Sequence, residues 1–280
     1  MEWISCKDYA TKRKEELKKE ISTYKKQPTL VVVQIDNDFA SSKYIKWKKS
    51  DCNEVGIKCI HDHINSNDFS QKDLEKKIME YNASINIHGI IIQLPIPDKY
   101  NVEKLQQCIS PEKDVDGFRV DSLHKPCTPK GVMDWIEFNN YDLKGKDVTI
   151  LGRSKIVGKP LNDMCIDKGA TVTCCNSNTS GLARWRHLQN SQVVFSAIGK
   201  PKYLTVTDFM NVCGSRLQLI VDIGINVDED GKLCGDVDTK FFEEEFSNTY
   251  ITPVPGGVGI LTRTSLLDNV IEAYKIIEGI

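Results

Sequence analysis

Short runs of β-branched and aliphatic residues alternate with longer charged segments along this chain, and this alternation constrains the fold most strongly. Leu30 to Ile35 and Gly89 to Leu94 are two such runs, each of strand length and apolar enough to be buried on both faces. Helical patterns lie at Ser5 to Tyr24, at Ser42 to Val55 and from Ser70 onwards. The pattern predicts an α/β protein whose parallel strands are covered by helices on both sides.

The chain of 280 residues is longer than one hydrophobic core usually organises, which favours two lobes. Breakers between Asp114 and Pro129 interrupt the alternation, and a helix capped by Thr128 is expected after them. Further strands are predicted at 147–151, 170–175, 193–198 and 219–223. A last helix at 264–277 could return to the first lobe. We place this lobe at 1–139 with the C-terminal helix 260–280, and the second lobe at 140–259.

Charge and cysteine content argue against several classes of protein. Lys plus Arg number 37 and Asp plus Glu number 39, a net charge of -2 that gives no global reason to bind nucleic acid. The ten cysteines are scattered without a Cys-x-x-Cys pair, so reduced thiols are expected. Residues 1–7 lack a signal-peptide pattern, and the apolar run at 90–92 is too short to span a bilayer. A cytoplasmic protein without a membrane partner is therefore expected.

A glycine loop follows the predicted strand Asp147 to Leu151. It runs from Gly152 to Lys159, and Pro160 suits the first turn of a helix. Strand, glycine turn and helix N-terminus together place backbone N–H groups around a pyrophosphate. The spacing departs from Gly-x-Gly-x-x-Gly, so a tight βα turn without a ligand is the alternative.

The end of the next strand favours NADP over NAD. NAD enzymes usually place an acid here to bind the ribose 2′-hydroxyl, but this strand ends in Asn176, Ser177, Asn178 and Thr179. Ser177 offers a hydroxyl, and Arg153 could pair with a 2′-phosphate. Polar residues also cap strands for purely structural reasons.

The first half offers a candidate for proton transfer. Tyr44 and Lys48 are four residues apart, so they share one face of the predicted helix. The lysine could act as a general acid or base, although a basic helical face is usually only solvated. Gln93 ends an apolar strand, where its amide could face a ligand or bond to neighbouring loop backbone.

Two Asp-x-Asp strings, at 114–116 and 236–238, resemble a metal signature. Magnesium sites need further oxygen ligands, and such strings are common in turns, so no metal is expected. A carboxylate near a lobe boundary could instead bind a ligand with several N–H donors, such as a pterin.

These segments together resemble the bifunctional methylenetetrahydrofolate dehydrogenase/cyclohydrolases along nearly the whole chain. The matching segments are Tyr44 to Lys48, Gly89 to Pro97, Pro111 to Phe118, Pro126 to Pro129, Gly152 to Pro160 and Thr252 to Gly259. The resemblance implies an N-terminal three-layer α/β folate-binding catalytic domain, a Rossmann-type NAD(P)-binding domain and a cleft between them. It also implies a homodimer formed through the cofactor lobe, NADP as cofactor with NAD as the alternative, and tetrahydrofolate derivatives as ligands in a pathway that supplies purine synthesis.

The resemblance also implies roles for individual residues. Lys48 is the implied acid/base of the cyclohydrolase step; Tyr44 shapes the folate pocket, Gln93 hydrogen-bonds Lys48, and Asp116 anchors the pterin. The implied cofactor contacts are Gly152, Arg153, Ser154, Ile156, Val157, Gly158, Ser177 and Ile225. The implied substrate contacts are Tyr44, Lys48, Gln93, Leu94, Asp116, Pro255, Gly256 and Gly257.

The chain departs from the family pattern at two places. Asn176 and Asn178 stand where the family often has His and a basic residue, and Ile260 stands where a proline commonly follows the last glycine. The Ile260 change is expected to alter loop stiffness more than chemistry. Two rivals are a monofunctional dehydrogenase, which the presence of Lys48 argues against, and a silent folate or nucleotide sensor, which would be expected to lack Lys48, Gln93 or Asp116.

Overall fold

The computed structural model describes residues 2–36, 39–210, 216–240, 246 and 248–280. The chain forms two compact units, each made of two stretches of sequence. The three-stranded unit comprises Thr11–Cys127 and Arg263–Ile280, and the six-stranded unit comprises Met1–Ala10 and Thr128–Thr262.

Helices and strands alternate along the chain. The helices are α1 (Lys7–Ile21), α2 (Phe39–Val55), α3 (Gln71–Ala83), α4 (Val102–Cys108), α5 (Cys127–Phe138), α6 (Gly158–Asp167), α7 (Gly181–Asn190), α8 (Val206–Phe209) and α9 (Val258–Glu278). The strands are β1 (Glu2–Trp3), β2 (Thr29–Ile35), β3 (Lys58–Ile64), β4 (Gly89–Gln93), β5 (Asp147–Leu151), β6 (Thr171–Cys175), β7 (Val193–Ser196), β8 (Leu219–Asp222), β9 (Asn226–Val227), β10 (Leu233–Cys234) and β11 (Tyr250–Ile251).

The three-stranded unit has a parallel sheet of order β3-β2-β4. Successive residues of β2 point to opposite faces, so Val32 joins the core beneath α1, α2 and α9, while Val33 joins the core beneath α3 and α4. All residues of β2 are buried. The central strand is thus covered on both faces, as its unbroken apolar run predicts.

The six-stranded unit has a parallel sheet of order β1-β11-β8-β7-β5-β6. One face carries a core with Val148, Ile150 and Phe195, and the other a core with Val194 and Ile220. Helices on both faces and a chain order that reverses at β5 make this a doubly wound Rossmann-type fold. The predicted two-domain α/β fold class is confirmed.

Three helices begin earlier than the sequence predicts: α2 at Phe39, α5 and α9. Helix α5 starts at Cys127, so Thr128 lies inside it and does not cap it. Helix α9 starts at Val258, so Ile260 lies in its first turn and donates its N–H to the Gly257 carbonyl at 3.0 Å. Ile260 therefore lies in a helix and not in the preceding glycine loop, and its expected effect on loop stiffness stays a prediction.

The division into two units also differs from the boundary expected at residue 139. Val132, Trp135 and Ile136 of α5 pack against Val148 and Ile150 of the six-stranded sheet. This apolar packing assigns α5 to the six-stranded unit. Residues Arg263–Ile280, which include most of α9, belong to the three-stranded unit.

Of the helices that the structure describes, none has the length and apolar character needed to cross a membrane.

Candidate active site

Lys48 lies on the side of α2 that faces the sheet. Ile45, Cys52 and Val55 are buried in the core beneath α2, and Lys48 falls in the same stripe at helical spacing. Lys46, in contrast, is exposed. The amine of Lys48 thus lies on a different face of the helix from the solvated lysines. The alternative that Lys48 only belongs to a solvated basic face therefore does not apply.

Gln93 holds the Lys48 amine directly. The Lys48 Nζ donates to Gln93 Oε1 at 3.0 Å, and Gln93 Nε2 donates to the Leu94 carbonyl at 2.8 Å. Because the backbone carbonyl can only accept, the amide is fixed with its oxygen towards the lysine. Of the two alternatives considered for Gln93, the bond to neighbouring loop backbone is present, and the amide oxygen binds Lys48.

Asp116 lies in a turn that only glycine can complete. Gly117 has φ +73°, and a Cβ there would lie 2.6 Å from the Pro126 nitrogen. Burial raises the pKa of Asp116 to about 6; the Lys48 ammonium lowers this pKa, and Asp114 raises it. Lys48 and Asp116 thus interact electrostatically, so an amine, an amide and a carboxyl group are available for proton transfer and for binding N–H donors.

Ion pairs fix α2 within the three-stranded unit. Asp51 is buried and accepts from Lys14 at 2.5 Å and from Arg263 at 2.6 Å. The Arg263 guanidinium also lies 5.3 Å from the centre of the Trp47 ring. Tyr44, one turn before Lys48, packs edge-on to Trp47, and burial raises the pKa of its phenol. These contacts restrict the orientation of the helix face that carries Tyr44 and Lys48.

The loop between β5 and α6 depends on two glycines. A Cβ on Gly152, which has φ +117°, would lie 2.4 Å from the Ala197 carbonyl oxygen. A Cβ on Gly158 would lie 2.1 Å from the Gly152 oxygen. Ser154 Oγ accepts from the backbone N–H groups of Val157 and Gly158. The loop closes tightly at the helix N-terminus, as a cradle for a dinucleotide pyrophosphate requires.

A cavity of about 350 Å³ lies beside this loop. Among the predicted cofactor contacts, Gly152, Arg153, Ser154 and Ser177 line it. Ile156, Val157 and Gly158 belong to the same loop but are not in its lining. The remaining lining residues are Leu151, Cys175, Asn176, Thr179, Arg184, Ala197, Ile198, Lys200 and Tyr203. Size and polar character suit the adenosine half of a dinucleotide.

Sequence reasoning missed Arg184, Lys200 and Tyr203 in this lining. The guanidinium carbon of Arg184 lies 4.9 Å from the centre of the Tyr203 ring, and Lys200 Nζ lies 5.2 Å from it. Arg184 and Arg186, which follow the strand predicted at 170–175, are a sequence signal for a cation here, but not for its contact with Tyr203.

Asp236, dismissed as a metal ligand, holds the chain segment that follows β7. Its carboxylate accepts from the Ile198, Gly199 and Lys200 N–H groups at 2.7–3.0 Å, and also from Ser196 Oγ and Asn226 Nδ2. Five neutral N–H and O–H donors thus surround this carboxylate. In the described part of the chain, no three His, Cys, Asp or Glu side chains are arranged to hold a metal ion.

Asp222 forms a reciprocal arrangement with Asp236. A Cβ on Gly224 would lie 2.1 Å from Asp236 Oδ1, and a Cβ on Gly235 would lie 1.9 Å from Asp222 Oδ2. Burial raises the pKa of Asp222 to about 7, against the lowering effect of N–H donors that include Val237. Each glycine leaves room for the carboxyl group of the other segment.

The remaining predicted contacts lie in the six-stranded unit, and Lys48 lies in the other unit. Ile225 follows β8 and is 44% exposed. Pro255, Gly256 and Gly257 form the turn before α9, where Gly256 has φ +102° and a Cβ on Gly257 would lie 2.2 Å from the Pro253 oxygen. The contacts in the structure thus join Lys48 to Gln93 in one unit and place Gly152, Arg153, Ser154 and Ser177 around one cavity in the other.

Sequence comparison assigns a family to both halves of the chain. Residues 4–116 match the family model described as the catalytic domain of tetrahydrofolate dehydrogenase/cyclohydrolase, and residues 126–278 match that family's NAD(P)-binding domain. The bifunctional protein FolD of Bacillus licheniformis is 36% identical over 284 residues, which cover 97% of this chain and 96% of that protein.

Solved structures of similar proteins agree with this family assignment. The bifunctional FolD methylenetetrahydrofolate dehydrogenase/cyclohydrolase of Campylobacter jejuni has a TM-score of 0.89 at 36% identity and covers 99% of both chains. The Trypanosoma brucei methylenetetrahydrofolate dehydrogenase-cyclohydrolase, solved with NADP and an inhibitor, has a TM-score of 0.86 at 27% identity and covers 98% of this chain and 97% of that one. This chain therefore belongs to the tetrahydrofolate dehydrogenase/cyclohydrolase family.

Proposed function

We propose that this protein oxidises 5,10-methylenetetrahydrofolate to 5,10-methenyltetrahydrofolate with NADP and then hydrolyses the product to 10-formyltetrahydrofolate. The observation that carries the proposal is the 3.0 Å hydrogen bond from Lys48 to Gln93, beside Asp116, in the family's catalytic domain. Relatives described as bifunctional, across nearly the full length of the chain, support both activities.

For the oxidation, a nicotinamide held by the glycine loop would supply the hydride acceptor for the methylene carbon of the folate. The chain's own part is to bind and orient the two ligands. We assign the cofactor to Gly152, Arg153, Ser154, Ile156, Val157, Gly158, Ser177 and Ile225. We assign the folate to Tyr44, Lys48, Gln93, Leu94, Asp116, Pro255, Gly256 and Gly257.

The lining of the cavity supports NADP as the cofactor. Arg153 and Ser177 supply a cation and a hydroxyl, and none of the described lining residues is an acid that would repel a 2′-phosphate. The Trypanosoma brucei relative was solved with NADP.

For the hydrolysis, Lys48 moves the proton. As water adds to the electrophilic methenyl carbon, Lys48 Nζ accepts the proton that the water oxygen loses. The resulting ammonium returns this proton to N5 as the bond between the carbon and N5 breaks. The remaining hydroxyl proton is released to solvent as the carbonyl of the N10 formyl group forms. Gln93 accepts a hydrogen bond from the amine throughout, so it keeps Lys48 in one position.

Asp116 is assigned to the N–H donors of the pterin, which it binds best when ionised. Because its pKa is raised to about 6, the carboxyl group is protonated below this pH and ionised above it. We expect kcat/KM for methylenetetrahydrofolate to fall by about tenfold per pH unit below pH 6. Initial dehydrogenase rates between pH 5 and 8 measure this decrease in kcat/KM. Asp116→Asn should have a low rate throughout, without the decrease in kcat/KM below pH 6. An unchanged decrease in this variant would contradict the assignment.

One assay tests the function as a whole. The purified protein is mixed with methylenetetrahydrofolate and either NADP or NAD, and methenyl absorbance is followed. A rise that is faster with NADP, then a decay faster than the spontaneous one, is expected. Absence of the rise would refute the dehydrogenase, and decay at the spontaneous rate would leave a monofunctional enzyme.

We also propose a cytoplasmic homodimer that supplies one-carbon units to purine synthesis. Strand β6 is the edge of the six-stranded sheet, and Thr171 and Cys174 on it are exposed. An unpaired edge of this kind can pair with a second copy of the same chain. Sedimentation equilibrium should give twice the chain mass, and the mass of one chain at micromolar concentration would rule the dimer out.

A further inference from the structure

The segment after β6 has little positive charge for a 2′-phosphate. Asn176 Oδ1 accepts the N–H of Asn178 at 3.0 Å, and the Asn176 N–H donates to Thr179 Oγ1 at 3.0 Å. These asparagines shape the turn around Ser177 and carry no charge. Arg153 is thus the one cation that the sequence pattern assigns to the phosphate.

Arg184 on α7 brings a second cation to the same cavity. Its Nη1 donates to the Tyr203 hydroxyl at 2.5 Å, and its Nη2 donates to Asp208 at 3.0 Å. Asp208 also accepts from the Thr205 N–H, so this carboxylate is itself fixed. Together with the ring contact to Tyr203, these bonds hold the guanidinium in one place.

Arg184 retains unused hydrogen-bonding capacity. A guanidinium has five N–H donors, and the described residues take two of them. Its Nε is buried and has no hydrogen-bond partner among the described residues. Arg184 nonetheless lines the cavity with its side chain 23% exposed. The exposed part of the guanidinium lines the cavity, so its remaining N–H donors are the ones that could bind a phosphate oxygen there.

Lys200 adds a third cation from the segment after β7. Its backbone N–H is bound by Asp236 at 3.0 Å, which fixes where the side chain begins. Its ammonium shares the Tyr203 ring with Arg184. The cavity therefore has three cations, Arg153, Arg184 and Lys200, and no acid among its described lining residues.

We propose that Arg184 and Lys200 are specificity residues that bind the 2′-phosphate of NADP together with Arg153 and Ser177. They supply the charge that Asn176 and Asn178 lack. This inference rests on the proposed use of a nicotinamide dinucleotide. The rival role for the same cluster is an adenine platform formed by Tyr203 and Arg184, which would serve NAD and NADP equally.

Binding of NADP and of NAD to the full-length protein, measured by titration calorimetry, separates these roles because the two ligands differ only in the 2′-phosphate. Arg184→Ala and Lys200→Ala should each weaken NADP binding by roughly tenfold or more and NAD binding by less than about threefold. Arg153→Ala should behave in the same way. Arg186→Ala, an exposed arginine of the same helix outside the cavity lining, is the matched control and should change neither affinity.

Equal losses for both ligands in Arg184→Ala would assign the cluster to adenine and overturn the inference, as would unchanged NADP binding. Lys200→Ala removes an exposed side chain that takes no part in the Asp208 ion pair, so it tests the inference even if Arg184→Ala is unstable. Wild-type protein that binds NADP no better than NAD would refute the proposed NADP preference itself. If Arg184→Ala and Lys200→Ala both kept the wild-type preference for NADP over NAD, the inference would be refuted but the proposed function would not.

Discussion

Lys48→Met is expected to reduce hydrolysis of methenyltetrahydrofolate by roughly a hundredfold to ten-thousandfold, the range for loss of a general acid–base group. Methionine has a similar length but has no group that can accept or donate a proton. It also leaves Gln93 Oε1 without the donor that lies 3.0 Å away. The decay of methenyl absorbance after addition of the variant to preformed methenyltetrahydrofolate gives the rate directly.

Lys46→Met is the matched control because Lys46 lies on the exposed side of the same helix. It should hydrolyse at the wild-type rate. Affinity for NADP should be unchanged in both variants, since Lys48 belongs to the three-stranded unit and the glycine loop to the other. Hydrolysis by Lys48→Met at the wild-type rate would show that another group moves the proton.

Asp236→Ala is expected to lower the free energy of unfolding by more than about 3 kcal/mol. The substitution leaves the Ile198, Gly199 and Lys200 N–H groups without their acceptor, together with the donors of Ser196 and Asn226. Asp236 is fully buried, so water does not readily replace the carboxylate. Urea unfolding followed by circular dichroism measures the loss.

Asp238→Ala provides the comparison within the same Asp-x-Asp string. Asp238 accepts a backbone N–H from Lys240 at 3.2 Å and is partly exposed. Its loss should cost less than about 1 kcal/mol. Asp236→Asn should fall between the two, because the amide retains one accepting oxygen and turns its NH₂ towards other donors. Similar losses for Asp236→Ala and Asp238→Ala would contradict the structural role of Asp236.

The buried strands could be predicted because their signal is local. The apolar runs beginning at Leu30 and Gly89 correspond to β2 and β4 within one residue at each end. Helix starts were harder to place. Helix α9 begins at Val258 rather than Thr264, because Gly256 and Gly257 form the turn before the helix and the glycine-rich segment extends into it.

The candidate site was predictable where residues of one element or one motif form it. Helical spacing alone places Lys48 in the stripe of Ile45, Cys52 and Val55, which distinguishes it from Lys46. The Arg184–Tyr203 pair was not predictable in this way. Its partners lie on different elements, and only the packing of α7 against the segment after β7 brings them together.

Each unit is built from two separated stretches of sequence, so it stays incomplete on the ribosome until its second stretch has been translated. Leu266, Leu267, Val270 and Ile271 are buried in the core of the three-stranded unit, although that unit's other residues are translated much earlier. The nascent chain must therefore carry an open apolar face while residues 128–262 emerge. In a protein of this architecture, neither hydrophobic core is complete until translation is nearly finished. Until then, chaperones can bind and shield the exposed apolar face.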